Sequence, residues 1–256
     1  AYMLRGMIFL SSRTERGIIK YTMKIPANLR WEVTPQEAIQ IQSALASRVV
    51  ETDCLSAARM VAGIDVGLEG EGNTIARAAV VVLRLPELTP VDYAIARLPV
   101  TFPYIPGLLA FREIPVVLKA LEKLQAEPDV FIVDGHGRAH PRRLGIASHL
   151  GVLIDRVTIG CAKSILCGKA KEPKNQIGAW SPLIDRGEKI GAALRMRLNT
   201  TPVYISVGHR ISLDRAIDIV LKCGKGYRLP ETTRYAHRVA GGEAIQLESG
   251  QASLFG

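Results

Sequence analysis

An α/β domain, with a mixed sheet flanked by helices, is the fold class this sequence predicts, and three observations carry the expectation. Short apolar runs bounded by glycine and proline alternate with longer segments whose apolar residues recur every three or four positions, the mixture of strand and helix patterns. The runs follow the order strand, strand, strand, helix, strand, helix, strand, which suits one sheet with helices laid on it. Hydrophobic residues make up 48% of the 256, enough to fill one large core, and no apolar run nears the length of about 20 residues that a membrane span needs.

Residues 1–24 lack sustained periodicity and are expected to be an extension outside the core, with MKIPANLRWEVTP from Met23 reading as an ordinary bacterial start. The early LRGMIFL has only four consecutive apolar residues before Ser11 and Ser12, too few for a signal peptide, so a cytoplasmic protein is expected. TPQEAIQIQSALASRVVE is a helix: Thr34 can cap, Pro35 suits the first turn, Glu37 completes a capping box, and Ile41, Leu45 and Val49 form a stripe. VAGIDVG, ARAAVVVLRL and VDYAIARLPV read as an antiparallel meander, separated by LEGEGN and PELTP. LLAFREIPVVLKALEKLQ is helical, with Pro115 expected to force a break or a new first turn. DVFIVDG reads as a buried strand and LGIASHLGVLIDRV as a helix; TIGCAKS and PVYISVG are further strands, and SLDRAIDIVLKC is a helix that Ser212 can cap. This order suits a ribonuclease H-like sheet, with the core domain expected over 25–240 and a flexible tail over 241–256.

Three acids stand where apolar elements give way to turns or helices: Asp65 in VAGIDVG, Glu113 in FPYIPGLLAFREIP and Asp134 in DVFIVDGHG. An aspartate at a strand end can simply cap a turn. Three converging carboxylates instead form an oxygen-only donor set for Mg²⁺ or Mn²⁺, ions able to activate water and stabilise the leaving oxygen of a phosphodiester. The formal charge of +9 favours a polyanionic partner. Cys54, Cys161, Cys167 and Cys223 show neither a CxxC pair nor zinc spacing, so buried free thiols are expected.

GIDVG, FPYIPGLLAFRE, DGHGRAHPRRLGIASHLG, GCAKS and TRYAH, in this order and at these separations, resemble endonuclease V over roughly residues 30–240. The resemblance implies a ribonuclease H-like catalytic domain that cuts DNA at deoxyinosine, at the second phosphodiester bond 3′ to the lesion, leaving 3′-hydroxyl and 5′-phosphate ends. It makes Asp65, Glu113 and Asp134 the metal carboxylates, with Mg²⁺ as cofactor and Mn²⁺ as substitute. It places His140 at the metal centre, as ligand or holder of a water. Lys163 would orient the attacking water or offset phosphate charge, and His237 would position the phosphate or move a proton. Considered without the family, Lys163 is a surface charge and His140 a structural histidine.

The two prolines around Tyr104 and Ile105 make a stiff loop, ending in Pro106 and Gly107. In the family this loop separates the strands at the lesion, where an aromatic ring offsets part of the unstacking cost. Leu109, Gly135, Gly145 and Leu166 match positions that line the pocket for the extruded base; the two glycines could equally serve tight turns and helix packing. Hypoxanthine offers a 6-oxo group and an N1 hydrogen where adenine offers a 6-amino group and an N1 acceptor, so unmatched polar edges set the selectivity. His136, His149 and His209 carry no signal of their own. Lys169, Lys171 and Lys174 in GKAKEPKNQ form either a phosphate track or a solvated loop.

The terminal QASLF resembles the short peptide that docks on the bacterial sliding clamp, through Gln251, Leu254 and Phe255, and departs from it at Ala252; the alternative is a frayed tail. RNA containing inosine is the alternative substrate. GIDVG alone also fits an actin-like phosphotransferase, but that architecture needs a second glycine-rich phosphate motif, which the chain lacks. A non-catalytic binder of inosine or branched DNA would have no use for all three acids.

Overall fold

The computed structural model describes residues 25–26 and 29–248. The expected extension over 1–24, and Gln251, Leu254 and Phe255 of QASLF, lie outside the described residues. In chain order the elements are α1 (Pro35–Ala46), β1 (Met60–Glu69), β2 (Ile75–Arg84), β3 (Thr89–Pro99), α2 (Leu109–Leu121), β4 (Val130–Val133), α3 (Ile146–Ile154), β5 (Thr158–Ala162), β6 (Lys169–Ala170), β7 (Trp180–Asp185), β8 (Glu188–Leu194), β9 (Val203–His209), α4 (Leu213–Lys222) and α5 (Glu231–Ala240). One sheet runs β3-β2-β1-β4-β5-β9-β8-β7-β6. Its first three strands are antiparallel, while β1, β4 and β5 are mutually parallel, which is the ribonuclease H-like order.

Alternation along the strands divides the interior into two cores. Ala62 and Ile64 of β1, with Phe131 and Val133 of β4, face α2 and α3. Val61 and Ile132 point the other way, into the core shared with α4 and α5. The β1-β4 register is set by one carboxylate: Asp129 Oδ2 accepts from the N–H groups of Arg59 (2.7 Å) and Met60 (2.9 Å). At the other end of the pair, the Asp134 N–H donates to Ile64 O at 3.0 Å, which brings Asp134 beside Asp65, a residue inside β1 just past the stretch paired with β4.

Thr34 caps α1 as its sequence predicts: its hydroxyl accepts from Glu37 N (3.3 Å) and the Glu37 carboxylate accepts from Thr34 N (2.7 Å). Thr34→Ala is expected to cost about 1 kcal/mol, read as a lower urea midpoint at unchanged slope. Ser212 likewise caps α4, accepting from Arg215 N.

Pro115 departs from expectation, since α2 runs through it unbroken. An interior proline costs about 3 kcal/mol, but Ile114, Val117, Leu118 and Leu121 are all buried against the sheet, each contributing roughly 1.5–3 kcal/mol. The apolar face outweighs the lost hydrogen bond. Sequence periodicity also missed the β7-β8 hairpin, which turns through Arg186 (φ 53°) and Gly187 (φ 81°). All four cysteines are free, but Cys54 is exposed and Cys167 only partly buried. Among the described residues, no helix is long and apolar enough to cross a membrane.

Candidate active site

Gly63, Asp65 and Gly67 share one face of β1 because strand side chains alternate. A Cβ at Gly63 would stand 2.0 Å from the carbonyl oxygen of Thr232, and one at Gly67 would stand 3.1 Å from that of Ala240. The two glycines therefore let both ends of α5 lie directly on the strand. Arg77 fixes the far end, its Nε donating to Ala240 O at 2.7 Å. Between these points of contact the helix delivers His237, whose Nδ1 donates to Asp65 Oδ2 at 2.8 Å.

Asp134 follows β4, and the parallel neighbour β5 ends at Ala162, so Lys163 emerges beside it. The Lys163 ammonium lies 2.5 Å from Asp134 Oδ2. The Lys163 backbone is held in turn by Arg228, whose guanidinium donates to the carbonyls of Lys163 (2.7 Å), Thr201 (3.0 Å) and Pro202 (3.2 Å). Glu113 arrives from the other layer of the fold, on α2. The middle of β1, the residues just after β4 and β5, and one helix on each face thus supply five of the six expected catalytic groups.

The electrostatics of this group are those of accumulated negative charge. Burial, then the charges of Asp65 and Asp134, push the Glu113 carboxyl up to about 8. Burial also raises Asp134, against the opposing pull of Lys163. Burial would lower Lys163, yet its hydrogen bond to Asp134 and the carboxylate charge outweigh that and raise it. Among the described residues, no three His, Cys, Asp or Glu side chains close into a formed metal cluster. The donor set still fits a hard divalent cation: three carboxylates in electrostatic reach of one another, with no soft ligand among them, and too much like charge for all three to ionise unaided.

His140 is held by other partners. Its ring is buried, Nε2 donates to Gly107 O at 3.0 Å, and Nδ1 accepts from Arg142 N at 3.2 Å. Burial pushes its pKa down to about 4, so the ring is neutral and has no nitrogen left for a metal. Through these contacts His140 braces the loop before α2.

That loop displays Tyr104, 69% exposed, between the exposed Pro103 and Pro106 and beside the partly buried Ile105. Leu109 opens α2 and is partly buried, while Leu166 is exposed after β5. Gly145 is buried for a packing reason, since a Cβ there would stand 2.3 Å from His136 O and 2.8 Å from Gly137 O. Gly135 has a similar one, 2.6 Å from Ile146 Cγ2. The DGHG turn is thereby pressed between α3 and β5, where a Cβ at Gly160 would stand 2.4 Å from Gly137 N and 2.8 Å from Gly135 O. Lys169, Lys171 and Lys174 are exposed, and none makes an ion pair among the described residues. The supporting residues Gly63, Gly67, Arg77 and Arg228 escaped sequence reasoning; the glycines two positions either side of Asp65 were the available signal.

The sequence model of the family described as endonuclease V matches residues 43–238. The chain belongs to the endonuclease V family. It is 56% identical to the endonuclease V of Trichormus variabilis over 211 residues, covering 82% of this chain and 95% of that one. The crystal structure of the endonuclease V from Streptomyces avermitilis superposes with a TM-score of 0.79 at 43% identity, covering 86% of this chain and 96% of the other. Endonuclease V of Ciona intestinalis, at 31% identity and a TM-score of 0.72 over 81% of this chain and 95% of that one, was crystallised with a 24mer DNA containing an inosine followed by a ribo-adenosine.

Proposed function

We propose that this chain is a Mg²⁺-dependent endonuclease that recognises hypoxanthine in DNA and cuts the second phosphodiester bond 3′ to it, leaving a 3′-hydroxyl and a 5′-phosphate. The observation that carries the proposal is the gathering of Asp65 on β1, Asp134 and Lys163 just past β4 and β5, and Glu113 and His237 on the flanking helices of an endonuclease V fold. Those three carboxylates would hold Mg²⁺, or Mn²⁺ in its place, and the ion would supply Lewis-acid stabilisation of the phosphodiester oxygens.

The protein's own groups do the rest. Lys163, held by Asp134 and anchored by Arg228, sets a positive charge where the phosphoryl oxygens gain negative charge. His237, oriented by Asp65, presents its second ring nitrogen to hold or pass a proton. Tyr104 enters the stack, and the turn around Gly135 with Leu109 and Leu166 receives the extruded base. Lys169, Lys171 and Lys174 follow the phosphate backbone.

Lys163→Met keeps the stem and removes the charge, and is expected to lower kcat about 100-fold with little change in KM; single-turnover kinetics on an inosine duplex would show it. Product ends test the reaction itself. An end-labelled strand should be cut one nucleotide beyond the nucleotide bearing hypoxanthine, giving a 3′ end that a polymerase extends and a 5′ end that a ligase seals. Cutting at any other bond contradicts the assignment. The ribo-adenosine in the Ciona substrate supports inosine-containing RNA as the alternative, and a faster cut of the matched RNA strand would establish it. For QASLF, a clamp pulldown that is unchanged on deleting residues 251–256 would remove the docking proposal.

A further inference from the structure

Gly107 closes the loop that carries Tyr104, and its carbonyl is the meeting point of three donors from two distant segments. The Ile105-Pro106-Gly107-Leu108 segment has the marks of a type II turn: proline second, glycine third at φ 80°, and Leu108 N donating to Ile105 O at 2.9 Å. The turn's own hydrogen bond uses Ile105 O and Leu108 N, so Gly107 O is left for other donors. It accepts from Gln42 Nε2 (3.0 Å), His140 Nε2 (3.0 Å) and one terminal guanidinium nitrogen of Arg142 (2.7 Å).

Gln42 is 1% exposed on α1, a helix that otherwise buries only Ala38. Its amide is fully used, since Nε2 also donates to Leu144 O (3.2 Å) and Oε1 accepts from Arg142 Nε (2.6 Å). Arg142 therefore grips the glutamine with one nitrogen and the loop carbonyl with another, a two-point contact that only the planar fork of arginine makes. The other end of the loop is fixed by Phe102, buried with Ala38, Leu108 and Phe111. Residues 103–106 stand between two anchors, with Tyr104 at the exposed tip.

We propose that Gln42 and Arg142 are positioning residues for strand separation: by holding the Gly107 carbonyl they set the height and angle at which Tyr104 enters the duplex. The inference rests on the endonuclease reading above and adds a specificity device to it. Opening a pair demands a rigid wedge, whereas a single strand presents its bases already unpaired. Loss of the brace should therefore be felt on duplex and not on single-stranded substrate.

The test compares one deoxyinosine oligonucleotide, single-stranded and annealed to its complement, cut by wild type, Gln42→Met, Arg142→Ala, Arg142→Lys and Tyr104→Ala. Gln42→Met keeps volume and removes every hydrogen bond, and its single-strand rate reports that the protein is folded. Each brace variant is expected to lose about tenfold or more on duplex and to stay within about twofold of wild type on the single strand. Arg142→Lys should resemble Arg142→Ala, because charge without the fork does not restore both contacts. Adding Gln42→Met to Tyr104→Ala should cost little more on duplex than Tyr104→Ala alone. Equal losses on both substrates, or none on either, would overturn the brace while leaving the endonuclease reading intact. A wild-type protein that cuts neither substrate would overturn both.

Discussion

Asp65→Ala is expected to lower inosine-directed nicking by about 1,000-fold or more, because several kcal/mol of transition-state stabilisation would pass through a carboxylate at the proposed metal site. Asp65 serves two groups at once: it contributes charge to the site shared with Glu113 and Asp134, and it holds His237 through a 2.8 Å hydrogen bond. Losing it removes both. Recognition should survive, since Tyr104, Gly135 and Leu166 belong to other segments, so the variant is expected to bind inosine DNA with near wild-type affinity and fail to cut it. Its melting temperature should hold or rise, because the substitution relieves like-charge repulsion around Glu113 without opening a large cavity. Wild-type nicking by Asp65→Ala would remove the carboxylate from the mechanism.

Gly63→Ala has the second large effect, and it works from beneath the site. The added methyl would stand 2.0 Å from Thr232 O and 2.4 Å from the Thr232 carbonyl carbon, and both are backbone atoms that cannot rotate away. The first turn of α5 must lift. Overpacking of this kind costs typically about 1–3 kcal/mol, seen as a lower urea midpoint. Because the same helix carries His237, the folded fraction should also lose activity. Gly67→Ala provides the graded control: its contact of 3.1 Å with Ala240 O is tight but tolerable, so a smaller loss is expected. Equal stability for Gly63→Ala and wild type would mean that α5 is not seated by the glycine.

What could be read from the sequence was whatever is local. The Thr34 capping box and the continuous apolar VFIV before Asp134 each identify an element and place a residue at its end, while the run leading into Asp65 identifies β1 but not its end, since the strand continues to Glu69. Asp65 and Asp134 came into view through those runs and Glu113 through the loop that gives way to α2, while Lys163 came only with the family resemblance. Helix α5 was missed because its buried face mixes Glu231, Thr232 and Thr233 with Ala236, Val239 and Ala240, so an apolar stripe runs only through its second half. The β7-β8 hairpin was missed because Pro182 interrupts β7 and an Arg-Gly pair makes its turn, where Asn-Gly would have signalled one. The partners of His140 were illegible for a different reason: six residues from Asp134 in sequence says nothing of where its ring points. Its partner, the Gly107 carbonyl, is 33 residues away, and Gln42 reaches the same oxygen across 65. Such long-range hydrogen bonds leave no periodicity to detect.

The central claim is that a divalent-metal centre built on Asp65, Glu113 and Asp134 cuts DNA because hypoxanthine is present. Two duplexes identical but for inosine or adenine at one position, each incubated with the protein in Mg²⁺ or in excess chelator, test it most directly. A nick in the inosine duplex with Mg²⁺, and in none of the other three reactions, is the predicted result. Equal cutting of the adenine duplex, or undiminished cutting in chelator, would contradict it.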